Sequence, residues 1–102
     1  MAFTADLNID NDVATIDLSG ELDRTVASDF QAKVEEVAAN SGIKRLVLNM
    51  ANLEYMASAG LRVLVFAKQK MGNNVEVDLL SPQEMVLDTI TKAGLQHSFK
   101  II

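Results

Sequence analysis

Ile43-Lys44-Arg45-Leu46-Val47-Leu48-Asn49 holds three consecutive branched apolar residues at its centre and charged or polar residues before and after them. A run of this length has the pattern of a strand covered on both faces, which is the situation of a strand inside a parallel sheet. Its flanks support that reading. Upstream, Val26, Phe30, Val34 and Val37 recur at i, i+4, i+8 and i+11, one face of a helix, and Asn40-Ser41-Gly42 stops it. Downstream, a loop over 50–57 leads to a second helix from about Ser58 to Met71, with Gly72 as its stop. A buried strand between two helices is the centre of an α/β fold.

Working outward, Val75, Val77 and Leu79 alternate with Glu76 and Asp78, which predicts another strand. Ser81-Pro82-Gln83-Glu84 then has the form of a helix start, with Ser81 as cap, Pro82 at the first helical position and Glu84 closing a capping box. That helix is expected to end at Gly94, and Phe99 to Ile102 forms a last strand. Toward the N-terminus, Phe3, Ala5, Leu7 and Ile9 alternate with polar residues, Asp10-Asn11-Asp12 is a turn, and Val13 to Leu18 reads as the second arm of an antiparallel hairpin. Gly20-Glu21-Leu22-Asp23-Arg24 is expected to be a loop before the first helix. The predicted order is β-β-α-β-α-β-α-β: an α/β mixed sheet with an N-terminal antiparallel hairpin, then parallel strands joined by crossover helices. One domain over 1–102 accommodates it.

Composition narrows the function. Hydrophobic residues make up 49% of the chain, enough for one core. With no Cys there are no disulfides, zinc thiolates or cysteine nucleophiles. Fourteen acidic against nine basic residues leave a charge of −5. No basic stripe is present, which argues against nucleic acid and anionic membrane as partners. The first residues carry neither a basic n-region nor an apolar h-region, so no signal peptide is expected; the expected location is cytoplasmic.

The usual catalytic patterns are missing. His97 is the sole histidine. Asp10-Asn11-Asp12 with Glu21 superficially suggests a calcium loop, but Ala14 and Thr15 stand where an oxygen ligand and Gly are needed. Neither a Walker nor a dinucleotide glycine motif occurs, and Glu35-Glu36 face different directions on their helix. The chain is expected to be a binding protein without cofactor or metal rather than an enzyme.

One junction stands out. Ala57-Ser58-Ala59-Gly60 places four small residues where a strand passes into a helix, although Gly inside a helix costs about 1 kcal/mol relative to Ala. Ser58 reads as the N-cap. Its hydroxyl is also placed to accept a phosphoryl group, because helix amides and the helix dipole favour an anion there.

Leu53-Glu54-Tyr55-Met56-Ala57-Ser58-Ala59-Gly60-Leu61-Arg62-Val63-Leu64 resembles the signature of the STAS domain family, whose bacterial members include anti-sigma factor antagonists. In that family Asp-Ser-Ser-Gly-Leu or Ser-Ser-Ala-Gly-Leu opens a helix, and the phosphorylated serine falls on Ser58. Gly20-Glu21-Leu22-Asp23 is similar to the family's Gly-x-Leu-Asp stretch, and the likeness runs over residues 3 to 102. It implies partner switching. The unphosphorylated protein binds an anti-sigma factor that is a serine kinase of the histidine-kinase ATPase fold, phosphorylation at Ser58 ends the complex, and a PPM-type phosphatase resets it. Nucleotide then belongs to the partner. The implied partner surface comprises Glu21, Leu22, Asp23, Met56, Ala57, Ser58, Ala59, Gly60 and Arg62. Ala57 departs from the family's Asp or Ser, leaving Asp23 as a candidate to position the kinase, and Ala59 leaves Ser58 as the motif's single hydroxyl. The chain stops at Ile102, where such a fold often adds a helix. The alternative is a STAS interaction module that is not phosphorylated, such as a lipid-transport accessory or stressosome scaffold subunit.

Overall fold

The structure is a computed structural model that describes residues 2–102. Its elements are β1 (Thr4–Asp10), β2 (Val13–Leu22), α1 (Ala27–Ala38), β3 (Arg45–Met56), α2 (Ser58–Met71), β4 (Glu76–Leu80), α3 (Glu84–Lys92) and β5 (Lys100–Ile101). They occur in the order the sequence predicts. The strands form one sheet in the order β1-β2-β3-β4-β5, antiparallel between β1 and β2 and parallel elsewhere. Asn11 and Asp12 make the hairpin turn, and Asn11 takes a left-handed φ of 56°, which its short polar side chain tolerates.

Alternation and register together build the core. Ala14 and Ile16 of β2 stand beside Leu46 and Leu48 of β3, which in turn stand beside Val77 and Leu79 of β4. All six are buried on the sheet face that packs with Phe30, Val34 and Val37 of α1 and Val63, Leu64 and Ala67 of α2. Val86 and Ile90 of α3 and Phe99 join the same cluster. Burying each large side chain contributes about 1.5–3 kcal/mol. Val47, on the opposite face of β3, is buried too, so the central strand is covered on both faces as its apolar run predicts.

Local expectations are corrected at several places. The segments read as loops over 20–24 and 50–57 are largely strand, because β2 and β3 continue pairing as far as Leu22 with Met56. Two register shifts, between Asp17 and Ser19 and between Gly20 and Glu21, break the period of two that marks a strand in sequence. Leu53 and Met56 are buried with Glu54 and Tyr55 exposed between them, and Gly20 supplies a φ of 81° at the irregularity.

The predicted capping box at 81–84 does not form. Ser81 adopts a φ of 52° and donates its N–H to the Ile102 carbonyl (2.9 Å), turning the chain out of β4. Gln83 is the cap residue, and its side-chain amide donates to the Ala51 carbonyl (2.8 Å). The last strand is shorter than 99–102, although Ile102 still donates to the Leu79 carbonyl (2.9 Å). Asp78 lies opposite Val77 and Leu79, as the alternation predicts, on the face of its ladder partner Val47. It is buried, and its Oδ2 accepts from Arg45 Nε at 2.7 Å. The charge-assisted bond offsets the cost of burying the polar side chain.

Candidate functional site

β2 and β3 end side by side at Leu22 and Met56, and the Ala57 N–H donates to the Leu22 carbonyl at 2.9 Å. That bond ties the first residue after β3 to the end of β2, so α2 starts directly above the carboxyl ends of two parallel strands, where open α/β sheets tend to build their sites.

The cap is Ala57, with φ −82° and ψ 170°, and no side chain caps the helix. Gly60 and Leu61 donate to the Ala57 carbonyl at 2.9 and 3.2 Å. This corrects the expectation that Ser58 is the N-cap. Ser58 is the first residue with helical backbone, exposed, and its hydroxyl is not engaged in capping. The first turn contains no acidic side chain. The amides of Ser58 and Ala59 are therefore those that any helix start leaves without an intrahelical acceptor, and their partial positive charge faces outward beside the hydroxyl.

Gly60 has a packing reason. A Cβ there would lie 2.9 Å from Leu22 Cδ2, 2.9 Å from Met56 Cγ and 3.0 Å from Leu22 Cγ. Its missing side chain lets the helix settle onto the two strand ends. The glycine does not serve to open the amides.

The predicted partner surface divides by burial. Glu21, Asp23, Ser58 and Arg62 are exposed, and Ala57 and Ala59 are half-buried. Leu22, Met56 and Gly60, assigned to the same surface, are buried. They support the exposed residues around them from beneath. Glu21 stands beside Tyr55 in the sheet register. Asp23 lies one residue past the Leu22–Met56 pair, and its Oδ1 accepts from the Thr25 N–H (2.9 Å) and the Thr25 hydroxyl (2.6 Å). These bonds to Thr25, the hydroxyl foremost, hold the Asp23 carboxyl below its ordinary value of 3.8. Asp23 thus builds the turn into α1, and one oxygen of its carboxylate is already committed.

Tyr55 is an exposed neighbour of the candidate site that the sequence did not single out. It is 42% exposed beside the strand ends, and apolar bulk in a segment read as loop gave no reason to single it out. Its signal is the spacing of Leu53 and Met56, whose three-residue interval leaves Tyr55 outside the core. His97 is exposed and lies away from this end, in the segment between α3 and β5. Among the described residues no group of three or more His, Cys, Asp or Glu side chains could hold a metal, and no helix is long and apolar enough to cross a membrane.

Comparison with known proteins agrees with this architecture. The model of the STAS domain family matches residues 4–102. The anti-sigma-F factor antagonist RsfB of Mycobacterium tuberculosis is 26% identical over 91 residues, covering 89% of this chain and 74% of that protein. An anti-sigma factor antagonist from Mycobacterium paratuberculosis superposes with a TM-score of 0.89 at 23% identity, over 98% of this chain and 85% of that one. The anti-sigma factor antagonist SpoIIAA in its unphosphorylated form gives 0.82 at 20% identity, over 99% of this chain and 88% of that one. The phosphorylated form of the Bacillus protein gives 0.74 at 20% identity, over 99% and 91%. These structures share the hairpin-led sheet and its helices, and with the family model matching from β1 to the last residue, the chain belongs to the STAS domain family.

Proposed function

We propose that this chain is an anti-sigma factor antagonist: unphosphorylated, it binds an anti-sigma factor that is a serine kinase of the histidine-kinase ATPase fold and frees the held target. Phosphorylation at Ser58 switches it off, and a PPM-type phosphatase restores it, all within the cytoplasm. The observation that carries this reading is the Ser58 hydroxyl, exposed and free of a capping role on the first turn of a helix that has no acid there. The name of the relative RsfB and the existence of SpoIIAA in unphosphorylated and phosphorylated forms lend it support.

The chemistry is phosphoryl transfer from ATP to Ser58 Oγ, with loss of the hydroxyl proton and departure of ADP from the partner's nucleotide site. The product carries about −1.5 to −2 charge at pH 7. On the free protein that charge sits at a helix N-terminus, a setting worth about 0.3–1 kcal/mol when exposed. In a closed interface the same group must be stripped of water, which costs several kcal/mol unless every oxygen finds a donor. The difference drives dissociation.

The test pairs the wild type with Ser58→Ala, each incubated with the cognate kinase and ATP and resolved on a phosphate-affinity gel. Wild type is expected to shift and S58A to stay unmodified while still binding the kinase. Because Ser58 makes no cap bond, S58A should also keep its stability to within about 0.5 kcal/mol in urea. Equal phosphorylation of the two proteins sinks the assignment.

A further inference from the structure

We infer that Arg62 is the counter-ion of phosphorylated Ser58: it folds back one helical turn, forms a charge-assisted pair with the phosphate, and is thereby withdrawn from the partner surface. This rests on Ser58 being the acceptor, as proposed above. Four observations lead to it.

First, Arg62 follows Ser58 by four residues on α2, and both are exposed. Residues four apart on a helix have Cβ atoms about 6 Å apart. Second, the direction is right. Helical side chains tilt toward the N-terminus, so a residue covers surface over the turn before its own Cα. Arg62 therefore leans toward Ser58 and away from Val65 and Phe66. An acid placed four residues before a base is also the more favourable order of an i, i+4 pair.

Third, nothing competes for the guanidinium on its own helix. α2 reads Ser-Ala-Gly-Leu-Arg-Val-Leu-Val-Phe-Ala-Lys-Gln-Lys-Met and has no acidic residue from Ser58 to Met71. Among the described residues Arg62 makes no ion pair. The only position on α2 that can become an anion within one turn of Arg62 is Ser58. Fourth, a guanidinium suits a phosphate. Its planar fork can give two parallel N–H bonds to phosphate oxygens, which a lysine ammonium cannot. The other charged residues at this end, Glu21 on β2, Asp23 and Arg24 just after it and Glu54 on β3, lie on the strand ends and the loop rather than on the helix.

The consequence is a switch with two arms. Phosphorylation adds negative charge at Ser58 and in the same step removes a positive one from the surface that a partner reads. A partner carboxylate paired with Arg62 in the complex would lose its cation as the phosphate arrives.

The experiment needs neither partner nor kinase. Phosphoserine is installed at position 58 by genetically encoded incorporation, and the second ionisation of its phosphate is followed by phosphorus NMR at low salt. The comparison is between otherwise wild-type protein, Arg62→Gln and Arg62→Lys, with amide spectra recorded for each to establish that all three are folded. If Arg62 holds the phosphate, R62Q raises proton affinity about 1.4- to 2.3-fold relative to Arg62. R62K falls between them, and the difference shrinks in 1 M salt, where the Debye length is about 3 Å. Identical titrations for the Arg62 and R62Q proteins at low salt overturn the inference. The result is separable from the acceptor assignment: a serine that no kinase modifies defeats the proposed function, whereas this titration reports on Arg62 alone.

Discussion

A methyl group placed on Gly60 would come within 2.9 Å of side-chain carbons from both Leu22 and Met56, a separation that real Cβ atoms essentially never show. Met56 meets it with a mid-chain carbon, so relief requires moving the side chain and not just its tip. Gly60→Ala gains up to about 1 kcal/mol in helix propensity but overpacks the junction, at about 1–3 kcal/mol. A net destabilisation of about 1–2 kcal/mol is expected, measured as a lower urea midpoint, and a more stable G60A would show that the helix start can shift freely.

Asp23 gives the second prediction at this scale. Its folded pKa is depressed, so its stabilisation is present above the unfolded value of 3.8 and is lost as pH falls through the lower folded value. Asp23→Asn keeps an oxygen that can accept from Thr25 but has no proton to take up. The thermal midpoint of D23N should therefore decline less steeply than that of the wild type below pH 3.8. Parallel declines would mean that the turn carries no linked proton.

At the scale of the element, α2 has the backbone of a capped helix without the cap. Ala57 holds the extended ψ of 170° that an N-cap residue needs, yet has no oxygen to offer. Ala57→Ser should stabilise the protein by about 1 kcal/mol, seen as a higher urea midpoint with an unchanged slope. No gain would indicate that the half-buried Ala57 side-chain position leaves no room for a hydroxyl to reach the amides.

The same element shows where sequence reading is strong and where it fails. α1 was legible because Phe30, Val34 and Val37 repeat on one face and are all buried. The far ends of β2 and β3 were not, because two register shifts scramble alternation over Ser19–Leu22 and Asn52–Met56. Caps were misplaced for a related reason. Ser58 and Ser81 are good capping residues by type, but the chain path put Ala57 and Gln83 at the cap positions. A hydroxyl caps a helix only if its own backbone is the one that stays extended.

For the whole molecule, one continuous cluster runs from Ala5 and Leu7 packed at the hairpin edge to Phe99 beside the last strand, and it includes Leu22 and Met56 beneath the site. The site end is thus fastened to the same core as the rest. Tyr55 is the single tyrosine, and the chain has no tryptophan, so its fluorescence reports on this end alone. Urea unfolding followed by Tyr55 fluorescence and by far-UV circular dichroism should give coincident curves. Leu48→Ala, in the middle of the sheet, should shift both by about 3 kcal/mol. An earlier fluorescence transition would mean that the strand ends melt separately.

The hydrophobic pattern by itself determined the element order, the parallel centre and the apolar residues that make the core, because burial is set by periodicity that short windows of sequence contain. It also singled out the small-residue junction around Ser58. Only the tertiary structure decided how far β2 and β3 run, which residue caps each helix, that Asp78 is buried against Arg45, and that Leu22, Met56 and Gly60 lie beneath the exposed residues of the site. These features depend on partners distant in sequence: a ladder neighbour supplies hydrogen bonds whatever the local propensity, and a close approach such as that at Gly60 exists only once three elements meet.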